Sequence, residues 1–111
     1  MKIKRGTTPT ITVTIHAPFE NVKEVNFIFK TRPDSFGRTI LTKEYKDNIP
    51  LKEGEDTKTE FKVLLRLTKE ETLRFSVGKA YMDTEVVYAN GETPATKMVD
   101  VDVEDTFFEG K

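Results

Sequence analysis

From Thr10 to His16 the apolar residues Ile11, Val13 and Ile15 alternate with Thr12 and Thr14. A period of two sends one set of side chains to a core and the other to water, so this segment predicts a β-strand. Pro18 closes it. After a turn around Asn21 a second strand is expected from Glu24 to Thr31, with Val25, Phe27 and Phe29 on one face and Ile28 on the other. Its aromatic content favours a central place in a sheet. Turn formers fill Pro33-Asp34-Ser35-Phe36-Gly37, and a third strand follows from Arg38 to Tyr45 around Ile40 and Leu41, which makes a hairpin the economical connection.

The stretch from Lys46 to Lys58 is polar, contains Pro50 and Gly54, and reads as a long mobile loop. A fourth strand, Glu60 to Leu67, puts Phe61, Val63, Leu65 and Leu67 on one face. It runs into Thr68-Lys69-Glu70-Glu71-Thr72-Leu73, a helix start with Thr68 as cap and Glu71 as its capping-box partner, with room for one or two turns before Gly78. A fifth strand covers Lys79 to Tyr88, Asn90-Gly91 suits a two-residue hairpin, and a sixth strand is expected from Ala95 to Val103, paired antiparallel with the fifth. Six short strands, one helical turn and no βαβ alternation define the expected fold class. It is mainly β: a small antiparallel β-sandwich of immunoglobulin-like type, or an open barrel, formed by residues 1–111 as one domain.

Size and composition agree with that reading. A chain of 111 residues supports one core and buries about 65% of the surface it exposes when unfolded. Hydrophobic residues make up 36% and charged residues 33%, too apolar for a disordered chain and polar enough to predict a thin core under a charged surface. Eighteen Lys and Arg against nineteen Asp and Glu leave a net charge of −1, which argues against a nucleic-acid partner. With no Cys there are no disulfides or thiolate sites, as expected of a protein synthesised in a reducing cytoplasm. The charged start Met1-Lys2-Ile3-Lys4-Arg5 resembles that of a signal peptide, but Thr then alternates with Ile and Val, so no export signal is read. No apolar run approaches the roughly 20 residues of a membrane-spanning helix, and no membrane partner is expected.

Candidate chemistry is sparse. His16 is the only histidine and lies on the polar face of the first strand; Ser35 and Ser76 lack the setting of an activated nucleophile, so no catalytic residue and no cofactor is assigned. Asp100, Asp102 and Glu104 alternate with Val99, Val101 and Val103, placing three carboxylates on one face at intervals of about 6.6 Å, twice the strand rise. Their spacing overlaps that of inverting glycosidases, but the chain has no Trp to form a sugar platform. Together with Asp105 the row offers oxygen ligands for calcium, as does the acidic loop Glu53-Gly54-Glu55-Asp56, yet neither has the ligand order of an EF-hand. A solvated face that discourages edge pairing explains the row better, and no metal ligand is assigned. The series Thr7, Thr8, Thr10, Thr12 and Thr14 is explained by β-propensity, with a flat hydroxyl recognition surface as the alternative.

Charge is unevenly distributed. Lys2, Lys4 and Arg5 open the chain, whereas Asp100, Asp102, Glu104, Asp105 and Glu109 crowd its close. The basic start is expected to meet the acidic last strand, either within one molecule or head to tail between copies, with Lys4, Arg5, Asp100, Asp102 and Glu104 as the candidate interaction surface of a homo-oligomer.

Three segments carry a family resemblance: Ile3-Lys4-Arg5-Gly6-Thr7-Thr8-Pro9-Thr10-Ile11; Val22-Lys23-Glu24-Val25 leading to Phe27-Ile28-Phe29-Lys30; and Leu67-Thr68-Lys69-Glu70-Glu71-Thr72-Leu73-Arg74-Phe75. Read with Asn90-Gly91 and the ending Glu109-Gly110, the chain resembles short uncharacterised proteins of phage and prophage structural gene clusters in Gram-positive bacteria. The resemblance implies a noncatalytic virion or assembly component, of the tail or baseplate, whose partners are other virion proteins or copies of itself and which is incorporated in a virion after synthesis. It implies no site residues. The segment from Asp34 to Arg38 and the loop after Tyr45 depart from the compact form expected of the family. A second functional expectation is a sandwich that binds cell-wall or surface glycans through loops at one end, with Phe36, Tyr45 or Tyr81 as the platform.

Overall fold

Seven strands and one helical turn, in a computed structural model that describes residues 1–105, build two facing sheets. They are β1 (Lys2–Lys4), β2 (Thr10–Ile15), β3 (Val22–Lys30), β4 (Thr39–Lys46), β5 (Phe61–Arg66), α1 (Lys69–Thr72), β6 (Gly78–Tyr88) and β7 (Val99–Glu104). The larger sheet has the order β1-β7-β6-β3-β4 and the smaller one pairs β2 with β5. The run β7-β6-β3-β4 facing β2-β5 reproduces the strand arrangement of an immunoglobulin-type sandwich. The expected fold class therefore holds, including the antiparallel β3–β4 hairpin and the interior position of β3.

The core follows from the period of two. Val25, Phe27 and Phe29 of β3 and Ala80, Met82 and Val86 of β6 face Val13 and Ile15 of β2 and Phe61, Val63 and Leu65 of β5, all buried. Each fully buried large side chain contributes about 1.5–3 kcal/mol relative to exposure. Phe29 meets Phe75 edge to face at 5.2 Å and Phe19 meets Phe61 at 5.1 Å, the offset that ring quadrupoles favour.

Three expectations need correction. Lys2–Lys4 forms a strand that pairs parallel with β7, so the larger sheet is mixed and not purely antiparallel. The chain ends can pair this way because the whole domain serves as the long connection that parallel strands require.

Asn90-Gly91 does turn, with the Gly91 N–H donating to the Tyr88 carbonyl (2.9 Å) and the Tyr88 N–H to the Glu92 carbonyl (3.0 Å). No two-residue hairpin follows, however, because β7 begins only at Val99, opposite Met82. The chain leaves the sheet after Tyr88, and Pro94 supplies no N–H with which to resume a ladder. Finally, the segment after Tyr45 is fastened down: Leu51 bridges Val63, the Phe19 N–H donates to the Thr57 carbonyl (3.0 Å), and Pro50 and Lys52 bond to β5. The helix start behaves as expected, with both halves of the Thr68–Glu71 capping box formed.

Candidate functional site

The basic start and the acidic last strand meet within one molecule. Lys2, Ile3 and Lys4 lie opposite Asp102, Val103 and Glu104, and the flanking backbone extends the pairing: the Asp102 N–H donates to the Met1 carbonyl (2.8 Å) and the Arg5 N–H to the Glu104 carbonyl (2.9 Å). Asp100, Asp102 and Glu104 share the outer face of β7, while Val101 and Val103 enter the core. Lys79 of β6 contacts Asp102 at 2.7 Å and Lys2 contacts Glu104 at 3.3 Å. The Lys79 ammonium, by hydrogen bond and by charge, holds the Asp102 carboxyl below its ordinary value, and Asp102 raises Lys79 in return. These pairs are exposed, so they contribute register more than stability. Among the described residues no group of three or more His, Asp or Glu is arranged to hold a metal ion.

Arg5 has a different task. Its Nε donates to the Phe75 carbonyl at 2.7 Å, Nη2 reaches the Leu73 carbonyl at 3.4 Å, and Nη1 pairs with Asp105 at 3.3 Å. The next residue continues the joint: the Gly6 N–H donates to Thr72 Oγ1, and that hydroxyl lies 3.0 Å from the Thr7 and Lys69 carbonyls, either of which accepts its proton. The Leu67 N–H donates to the Pro9 carbonyl. On the other side of α1, Lys43 donates to both Glu71 oxygens at 3.1 Å. Burial pushes the Glu71 carboxyl up, but the Thr68 backbone N–H and the Lys43 ammonium outweigh it and leave the group below its ordinary value. The segments 3–11 and 67–75 are thus one joint, with Phe29 of β3 packed into it through Phe75.

Other sequence candidates are dispersed. His16 follows β2 at the end remote from this joint, whereas Ser76 lies beside the joint, so the two do not meet across a site. The acidic loop is internally occupied: Glu55 contacts Lys52 (3.6 Å) and Lys62 (3.4 Å), and Asp56 accepts the Lys58 N–H. Thr10, Thr12 and Thr14 are exposed along β2. Phe36 is 80% exposed at the β3–β4 hairpin tip with Arg32 above its ring, Tyr45 packs on Phe27 and accepts the Arg66 N–H, and Tyr81 stands opposite Asp100. They form no common platform. The ending Glu109-Gly110, like Glu109 in the acidic cluster, lies outside the described residues.

A surface the sequence did not reveal lies at the end remote from the joint. Residues 17–21 and 88–94 enclose an open concavity of about 690 Å³, with Pro18, Asn21, Tyr88, Asn90 and Glu92 in its wall. The Tyr88 hydroxyl donates to the Pro18 carbonyl at 2.6 Å and the Ala89 N–H to the Asn21 carbonyl at 2.8 Å, locking the two loops together. Burial raises the Tyr88 hydroxyl above its ordinary value. Asn21 itself holds φ at 68°, a left-handed conformation that Asn tolerates better than most residues. The turn residues were visible in the sequence; their meeting across nearly seventy positions was not.

No family model and no curated protein matches the chain. A solved structure described as part of a photo-crosslinking study of multimeric cell-adhesive interactions of VGSC beta subunits aligns with 96% of this chain and 89% of its own, at 10% identity and a TM-score of 0.42. A likeness that slight carries no argument; the immunoglobulin-type arrangement rests on the strand order itself. No helix among the described residues is long and apolar enough to cross a membrane.

Proposed function

We propose that the chain is a noncatalytic assembly protein of phage or prophage particles, a tail or baseplate component that works through contacts with other virion proteins or with copies of itself. One observation supports this reading above the others. The three segments that carry the family resemblance converge on a single joint, through Arg5, Gly6, Thr72, Phe75 and Phe29. Separate turn signals arise by chance in many small β domains, whereas segments that interlock are what a common scaffold would preserve together. Since Thr72 and Phe75 at that joint are buried and its polar groups bond internally, contacts with partners are sought first at the sheet edges and at the loops of the far end.

The test is light-scattering mass across protein and salt concentration, for the chain alone and mixed with the purified products of neighbouring genes. A defined complex, or a discrete oligomer of the chain itself, is the expected result. A monomer in every mixture, from a gene lying among metabolic genes, overturns the reading. The open concavity beside Tyr88, with amide and carboxylate groups around an aromatic wall, favours a second reading: a binding module for cell-wall or surface glycans. Failure to retain the protein on any cell-wall fraction removes that alternative.

A further inference from the structure

The free edge of β2 differs from every other sheet edge among the described strands. β1 is three residues long and exposes Lys2 and Lys4. β4 carries Lys43, Glu44 and Lys46 and meets a register shift at Phe29/Lys30. The outer side of β5 is covered by Pro50–Lys52. Shortness, charge, bulges and covering loops are the means by which proteins keep sheet edges from pairing. β2 lacks charge, proline and bulges: its six residues, Thr10–Ile15, are paired with β5 in unbroken register, and only the segment 94–97 stands alongside it, across a groove.

The groups it offers follow from the ladder. The Leu64 N–H donates to the Pro50 carbonyl (2.8 Å) and the Lys52 N–H to the Lys62 carbonyl (3.0 Å), so Lys62 and Leu64 address the covering loop. In an antiparallel ladder the alternate residues Phe61, Val63 and Leu65 then bond to β2, through Ile15, Val13 and Ile11. The bond from the Leu67 N–H to the Pro9 carbonyl (3.1 Å) keeps the same phase. Thr10, Thr12 and Thr14 therefore direct their N–H and C=O groups away from β5, and no strand among the described residues pairs with them. Along the upper half of this edge runs a groove of about 420 Å³ between residues 13–17 and 94–97, with Val13, Ile15 and Val99 in its lining, together with Lys97 and no carboxylate.

A row of outward amides and carbonyls repeating every second residue is complementary to an extended main chain. The apolar lining suits alternate side chains of that strand, and Lys97 favours an acidic residue near one end of it. We propose that β2 accepts, as an added strand, an extended segment of a second protein species that alternates apolar with hydroxyl residues and carries a carboxylate beside Lys97. This deepens the assembly reading, on which it rests, by naming the surface and the chemistry of the partner.

The probe is a capped peptide of alternating valine and threonine ending in aspartate, followed by amide hydrogen exchange of the intact chain. At ten times the peptide Kd, exchange at the Thr12 and Thr14 amides is expected to slow about tenfold, because only the unliganded fraction exchanges. The Ile11 and Val13 amides, already bonded to β5, exchange only when that pair opens and slow as well where opening expels the peptide, so the diagnostic amides are those of Thr12 and Thr14. Thr12→Pro removes an outward N–H while leaving the β2–β5 bonds in place, since proline is tolerated where its nitrogen faces out of an edge; it should abolish the effect with an unchanged urea midpoint. A peptide N-methylated at its pairing amides should fail in the same way, independently of the protein's folding. No slowing at millimolar peptide, slowing confined to the Tyr88 concavity, or undiminished binding by Thr12→Pro overturns the proposal. So does a dimer of the chain alone that Thr12→Pro dissolves, which assigns the edge to a second copy. Failure with the peptide leaves a light-scattering complex with virion proteins untouched, so the two readings fail separately.

Discussion

Replacing Thr72 by Val keeps the shape of a fully buried side chain and removes its hydroxyl. In the native protein that oxygen accepts the Gly6 N–H at 3.0 Å and donates toward the Thr7 and Lys69 carbonyls, each also at 3.0 Å. Thr72 is fully shielded but Gly6 is half-buried, so water replaces the lost partner of the Gly6 amide only in part, at a cost of about 1–2 kcal/mol, and the lost donation adds about 1 kcal/mol. The expected destabilisation of Thr72→Val is about 2–3 kcal/mol. Thr72→Ser retains the hydroxyl and gives up one methyl, for about 1 kcal/mol. At about 4 °C per kcal/mol for a domain of this size, the two variants should melt about 10 °C and about 4 °C below the native protein. Urea unfolding with linear extrapolation measures both on one scale. If Thr72→Val lies within about 0.5 kcal/mol of native, or Thr72→Ser costs as much as Thr72→Val, the hydroxyl does not fasten the amino-terminal segment to the α1 corner and the reasoning is refuted.

The same joint predicts a pH dependence. The folded Glu71 carboxyl sits below its ordinary value, so its contribution is fully present above the unfolded carboxylate pKa of about 4.3 and is lost as pH falls through the folded value. The stability gap between native protein and Glu71→Gln should be about 1–2 kcal/mol at pH 7 and shrink below about pH 4.5, as read by urea titrations at several pH values; a gap that grows in acid refutes the sign. At the β3–β4 hairpin tip, a Cβ on Gly37 would collide with the Arg32 carbonyl oxygen and stand 3.0 Å from the Arg32 nitrogen, both backbone atoms that cannot swing aside. Gly37→Ala is expected to cost about 1–3 kcal/mol with amide shifts confined to residues 31–39, and unchanged stability would show that the tip opens freely.

The strands with a clear alternation, β2, β3, β5 and most of β6, were legible because one buried face imposes a period of two on the sequence. β1 was not, because Lys-Ile-Lys offers a single apolar residue, Ile3, and its pairing with β7 depends on a partner a hundred positions away. The start of β7 was misplaced for a local reason with a non-local outcome: the residues after Pro94 carry strand composition, but the sheet resumes only where Val99 reaches Met82. The charge complementarity of the two ends was visible in the sequence, while the choice between meeting within a molecule and between molecules required the parallel register of β1. The concavity at Tyr88 left no local pattern, since it forms from two loops that are adjacent only in space.

That division bears on where function is to be sought. Arg5, Gly6, Thr72 and Phe75 are tied to one another by main-chain contacts and burial, so substitutions among them act first on folding and only through it on any partner. Lys2, Lys79, Asp102 and Glu104 are exposed but already matched in charge, and recruiting them to an intermolecular contact means giving up pairs the molecule makes within itself. The outward backbone groups of Thr10, Thr12 and Thr14 are paired with no strand among the described residues. An edge strand that is uncharged, unbulged and unpaired invites unwanted pairing, and proteins ordinarily blunt such edges. Its retention beside an apolar groove, in a molecule whose other edges are short, charged or covered, is what a surface meant to be occupied would look like. Interface mutations therefore belong on β2 and the 94–97 segment before they are spent on the charged ends.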